Sequence, residues 1–149
     1  MLTLLRTLLA PTPPRLAEPD ARLALAALLV RVARSDGYYA AAEVAKIDRI
    51  LMQRHSLTAP EAAQLRTEAE AMEAEAPDTV RFTRALKAAV PLEDRTALIE
   101  ALWTVALADG SRDSDEDRVV RLVSNLLGLT DVESAHARQR MARQRMQNQ

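Results

Sequence analysis

The stretch Leu29-Val-Arg-Val-Ala-Arg-Ser-Asp-Gly37 lies without a gap on Leu102-Trp-Thr-Val-Ala-Leu-Ala-Asp-Gly110, at an offset of 73 residues (37 to 110). At the same offset Glu43 falls on Glu116, Ile47 on Val120 and Ile50 on Val123. After a one-residue deletion Ser56-Leu-Thr58 falls on Gly128-Leu-Thr130, and Glu61 on Glu133. Self-similarity at a fixed period marks a duplicated structural unit. Each copy, about 25–61 and 98–133, reads apolar helix, Asp-Gly loop, amphipathic helix, capped helix.

The patterning gives the class. Residues 21–35 (Leu23, Leu25, Leu28, Leu29, Val30, Val32) and 97–108 (Leu98, Ile99, Leu102, Trp103, Val105, Leu107) are apolar on nearly every face, which predicts two central helices. Segments 42–54 and 115–127 carry one stripe each, Val44, Ile47 and Leu51 in the first and Val119, Leu122, Val123 and Leu126 in the second. These predict outer helices with one face inward. Thr58-Ala-Pro-Glu61 and Thr130-Asp-Val-Glu133 are capping boxes that open two more helices. Asp78 is placed to cap a helix bearing Phe82, Ala85, Leu86 and Ala89, and Pro91 sits where another would begin. No segment alternates with the period of a strand. The expected fold is therefore all-α: a single-domain bundle of seven or eight helices, built on a pseudo-twofold duplication of a helix, acidic loop, helix unit. Residues 1–19 are expected to form a short helix (Leu2 to Ala10) and a Pro-rich linker, and 20–149 the domain.

Composition narrows the function classes. The chain has no Cys, which excludes a disulfide framework, Cys-ligated zinc, iron–sulfur clusters and thiol catalysis. That lack suits a cytoplasmic protein. Lys and Arg number 20 against 21 Asp and Glu, so no overall field recruits nucleic acid or an anionic membrane. Arg6 interrupts the apolar N-terminus and Pro11, Pro13 and Pro14 follow it, so no signal peptide or membrane span is expected.

The residues with most chemical potential lie in the second loop, Asp109-Gly-Ser-Arg-Asp113-Ser-Asp115-Glu116-Asp117, where five carboxylates crowd nine positions. Hard divalent cations want oxygen ligands wrapped around one point, and the Gly after the first Asp permits a positive φ. The EF-hand spacing is absent. Helix capping is the competing explanation: Gly110 as a C-terminal glycine, and Asp113, Ser114, Asp115 and Glu116 as complements to the positive end of the next helix. The first loop, Asp36-Gly-Tyr-Tyr-Ala-Ala-Ala-Glu43, keeps only the outer two carboxylates.

Apolar helix, Ala/Ser-Asp-Gly, a Glu six residues after the Gly, then an amphipathic helix, twice over, resembles the TerB-like tellurite-resistance family, across about residues 20–140. The same fold forms the N-terminal domain of DnaJ-type membrane co-chaperones. The resemblance implies divalent-cation binding at the acidic loops, falling here on Asp36, Glu43, Asp109, Asp113 and Glu116. The sequence departs from the family at Ala40, where an acidic residue is expected. One weak site for Ca²⁺, Mg²⁺ or Mn²⁺, at the second loop, is the expectation.

Other candidates are weaker. His55 and His136 have no partner at the spacing of a triad or a metal pair, and they read as a helix C-terminal and a solvent-facing residue. Glu68, Glu70, Glu73 and Glu75 form an acidic run, opposite Leu65, Ala69 and Met72, that reads as a solvated face. Arg138, Arg140, Arg143 and Arg145 make a basic end without interleaved aromatics, a weak signal for RNA or lipid. Tyr38 and Tyr39 read either as an exposed contact point or as a plug over the core, the plug being slightly favoured. No nucleophile or acid/base set converges, so no reaction is expected. The resulting expectation is a non-catalytic, cation-binding module in a bacterial stress response; the alternatives are a protein adaptor with purely structural loops and a helical phosphohydrolase. An unknown protein partner is compatible with either of the first two.

Overall fold

The computed structural model describes residues 20–76, 78–108 and 114–148. Seven α-helices, and no strand, occur among them: α1 (Ala21–Arg34), α2 (Ala41–His55), α3 (Ala59–Glu75), α4 (Val80–Ala89), α5 (Arg95–Ala106), α6 (Ser114–Leu126) and α7 (Asp131–Gln147), with a 3-10 turn at Leu92–Asp94. The predicted helix at Leu2 to Ala10 and its linker lie outside the described residues.

The duplication is visible in the helix limits. Displaced by 72 residues (59 to 131), the 17 residues of α3 coincide with the 17 of α7. Both open on the predicted boxes: Thr58 accepts from the Glu61 amide while Glu61 accepts from the Thr58 amide, and Thr130 and Glu133 do the same. The preceding corners also match. Ser56 (φ 53°) and Gly128 (φ 90°) are both left-handed, and the next amides, of Leu57 and Leu129, reach back to Met52 and Ser124. Glycine takes this conformation without strain whereas Ser56 carries a Cβ into it.

α1 and α5 are the central helices, as their patterning predicts. Leu28, Leu29, Val30 and Val32 are fully buried on α1, and Leu102, Trp103 and Val105 on α5. α1 packs chiefly on α3 and α5 chiefly on α7; each also reaches across to the amphipathic helix of the other unit, α1 to α6 and α5 to α2. Hydrophobic burial along these two rods supplies the main driving force for folding. Arg95 fixes one corner of the bundle, its guanidinium donating to Lys87, Val90 and Leu127 carbonyls at the ends of α4 and α6.

Three sequence expectations are corrected. The inward face of α6 is Glu116, Val120, Val123 and Ser124, continued by Leu127, whereas Leu122 is 48% exposed. Two polar residues on that face turned the apolar reading by about one position. The acidic run on α3 is not uniformly solvated: Glu68 and Glu75 are exposed, but Glu70 and Glu73 are drawn inward by arginines. Finally, only Tyr39 acts as a plug, since Tyr38 is 76% exposed. The helix after Asp78 starts at Val80, whose amide donates to Asp78 Oδ1.

Candidate functional site

The two acidic loops join the central helix of each unit to its amphipathic helix, and each of those helices carries a glutamate at its third position, Glu43 on α2 and Glu116 on α6. A carboxylate there faces the positive end of the helix. Both are inside the molecule, Glu43 at 1% exposure and Glu116 at 0%. Glu43 Oε1 accepts from the Ala40 amide at 3.0 Å, forming the backward limb of a capping box whose forward limb Ala40 cannot supply. By contrast the capping glutamates Glu61 and Glu133 stand in solvent, their carboxyls held below the ordinary range by the amides and then the hydroxyls of Thr58 and Thr130. Capping alone therefore does not require burial.

The first loop turns at Gly37 (φ 79°), with Asp36 Oδ1 accepting from the Tyr38 amide at 2.8 Å. This small ring fixes the corner with a side chain in place of a backbone carbonyl. Of the other predicted ligands, Asp109 and Asp113 lie outside the described residues, as does Gly110. Among the described residues no three Asp, Glu or His side chains gather into a ligand group.

Below the first loop lies a network that sequence reading missed. The Tyr39 hydroxyl donates to Glu70 Oε2 at 2.7 Å, and Arg66 donates to the same carboxylate at 3.1 Å and to Asp48 at 2.6 and 3.3 Å. Burial, then the Glu70 carboxylate, raises the Tyr39 phenol, so it stays protonated; the Asp48 bond likewise holds Arg66 protonated. Arg34 lies over the Tyr39 ring and pairs with Glu73, and Arg31 donates to the Ala76 carbonyl at 2.6 Å. The only foreshadowing was four spaced glutamates on one helix.

Among the described residues of the second unit, neutral groups bond one another in the corresponding interior. Trp103 Nε1 donates to Ser134 Oγ at 3.2 Å, and the Ser134 and Ser124 hydroxyls bond each other at 2.9 Å. His55 ends α2 as predicted, with its imidazole pKa lowered by burial first and by Arg22 and Arg54 second. His136 is exposed.

No helix of the described residues is long and apolar enough to cross a membrane. The family model described as tellurite resistance protein TerB matches residues 22–139, from the start of α1 nearly to the middle of α7. Neither a search of curated proteins nor one of solved structures returned a match. A match over that much of the chain places it in the family: this protein belongs to the TerB family.

Proposed function

We propose, proceeding from that membership, that the chain is a non-catalytic tellurite-resistance-type module in a cytoplasmic stress response, and that its second loop binds Ca²⁺, Mg²⁺ or Mn²⁺ weakly through Asp109, Asp113 and Glu116. The supporting observation is the matched burial of Glu43 and Glu116 at one helical position in the two units. Taking a carboxylate out of water costs several kcal/mol unless positive groups surround it. Backbone amides at a helix start favour a carboxylate there, and a hard cation held by the neighbouring loop carboxylates would favour it further. The first loop offers only Asp36 and Glu43, with Ala40 between them, and is not expected to bind alone.

An affinity near 10⁻⁴ M is expected for a loose oxygen site. At about 1 mM ion this stabilises the fold by about 1.4 kcal/mol, a rise of a few degrees in Tm. Asp113→Ala should remove the rise, and Ala40→Asp should add binding at the first loop. If Ca²⁺, Mg²⁺, Mn²⁺ and Zn²⁺ all leave Tm unchanged at millimolar levels, the loops are structural. The second reading, a docking module for a protein partner, then takes precedence; the exposed ring of Tyr38 at the first corner favours it.

A further inference from the structure

At the offsets of the duplication, Arg66 on α3 corresponds to Arg138 on α7, and Asp48 on α2 corresponds to Arg121 on α6. The two places differ in charge. In the first unit Arg66 Nε donates to Asp48 Oδ1 at 2.6 Å and its Nη2 to Oδ2 at 3.3 Å, a two-point grip on one carboxylate, while Nη1 holds Glu70. In the second unit the carboxylate position is occupied by Arg121, and the counterpart of Glu70 is Ala142. Arg138 has neither counterpart carboxylate and lies instead over the Trp103 ring at 5.5 Å. Its Nε is buried and has no hydrogen-bond partner; the nearest acid, Asp117, is 3.8 Å away. A buried N–H left unsatisfied is costly, more so on a charged group.

Beside Arg138 lies a cleft of about 370 Å³ between α6 and α7, lined by Trp103, Asp117, Arg121, Asp131, Val132 and Arg138, with Ala135 at its wall. Its size falls within the range of small-ligand sites. The Arg121–Asp131 contact at its mouth is long, 3.5 Å, and solvent-exposed, so it is weak and easily exchanged. Val132 adds exposed apolar surface.

We propose that this cleft binds the carboxylate of a small organic acid, gripped at two points by Arg138 with Arg121 beside it, its apolar body lying along Val132 and Ala135. The ligand carboxylate takes the place that Asp48 occupies in the first unit. The planar guanidinium fork matches a carboxylate better than an ammonium would. This site is independent of any cation at the second loop.

Trp103 is the only tryptophan, so its indole N–H resonance reports on the cleft directly. The full chain is titrated with benzoate, acetate and inorganic phosphate at constant ionic strength and neutral pH. Benzoate should shift that resonance saturably, with a Kd of about 1 mM, and acetate should bind several-fold more weakly because it lacks the apolar body. Arg138→Gln should weaken benzoate at least tenfold, and Arg138→Lys should restore little, since charge without the fork is insufficient. Arg121→Asp rebuilds the first unit's internal pair; it should abolish benzoate binding without lowering Tm, separating ligand loss from misfolding. An unmoved resonance with all three anions overturns the proposal. So does undiminished benzoate binding in Arg121→Asp, or binding of phosphate in place of benzoate.

Discussion

The two copies of the unit share a frame and differ in how they fill it. The limits of α3 and α7, the capping boxes, the left-handed corners before them and the buried glutamates coincide. Yet the first copy satisfies its arginines internally, Arg31, Arg34 and Arg66 meeting Glu73, Glu70 and Asp48. The second replaces those acids and leaves Arg138 over Trp103 beside a cleft. Backbone geometry is held by local rules that each copy keeps separately, such as the cap, the left-handed corner before it and the apolar face. Side-chain pairing needs two residues distant in sequence to agree, and one substitution, Asp48 against Arg121, undoes it. Divergence after duplication is therefore cheapest in the pairings.

The largest test is of the shared frame. Leu29→Ala and Leu102→Ala, at equivalent fully buried positions, should each cost about 2–5 kcal/mol in chemical denaturation. A loss at one position only would mean that the molecule has one central helix and a satellite. The next test is of the difference. Arg66→Gln strips a partner from Asp48 and Glu70 and should cost about 2 kcal/mol, whereas Arg138→Gln, whose Nε makes no hydrogen bond and which loses only the long contact with Asp117 and the stacking on Trp103, should cost under about 1 kcal/mol. Equal losses would erase the contrast. Thr58→Ala and Thr130→Ala should be alike again, each lowering stability by about 1 kcal/mol through loss of one cap.

The smallest effect concerns His55, whose counterpart in the second copy is the fully buried Leu127. Because the folded imidazole pKa is depressed, its contribution is present above the ordinary value near 6.5 and is lost as pH falls through the folded pKa. His55→Leu should raise Tm by roughly a degree or two and flatten the decline of stability as pH falls below about 6.5. An unchanged slope would show that the acid limb belongs to the carboxylates, Glu61 and Glu133 among them.

The frame was legible in the sequence because its signals are local: Thr58 to Glu61, Thr130 to Glu133 and the Asp36-Gly37 step are each read within a few residues. So was the centre, since two helices apolar on every side have no other place to go. The inward face of α6 was not, because Glu116 and Ser124 point into the molecule and only the folded partners reveal why. Nor were the roles of Glu70 and Glu73: Glu70 joins Arg66 one turn before it to the Tyr39 hydroxyl in the first loop, and Glu73 meets Arg31 and Arg34 on α1. Of the candidate site, the equivalence of Glu43 and Glu116 was readable by alignment of the copies. Their burial was not, since a glutamate at a helix start is ordinarily wet.

Arg95 carries a consequence for the timing of fluctuations. One guanidinium closes the last carbonyls of α4 and α6, helices that neighbour each other but belong to different parts of the chain. Neither end can fray without releasing the same side chain, so the amides of the two final turns are tied into a single opening event. In hydrogen exchange those turns belong to one cooperative unit, and the corner behaves as a hinge pin whose withdrawal loosens both helices at once.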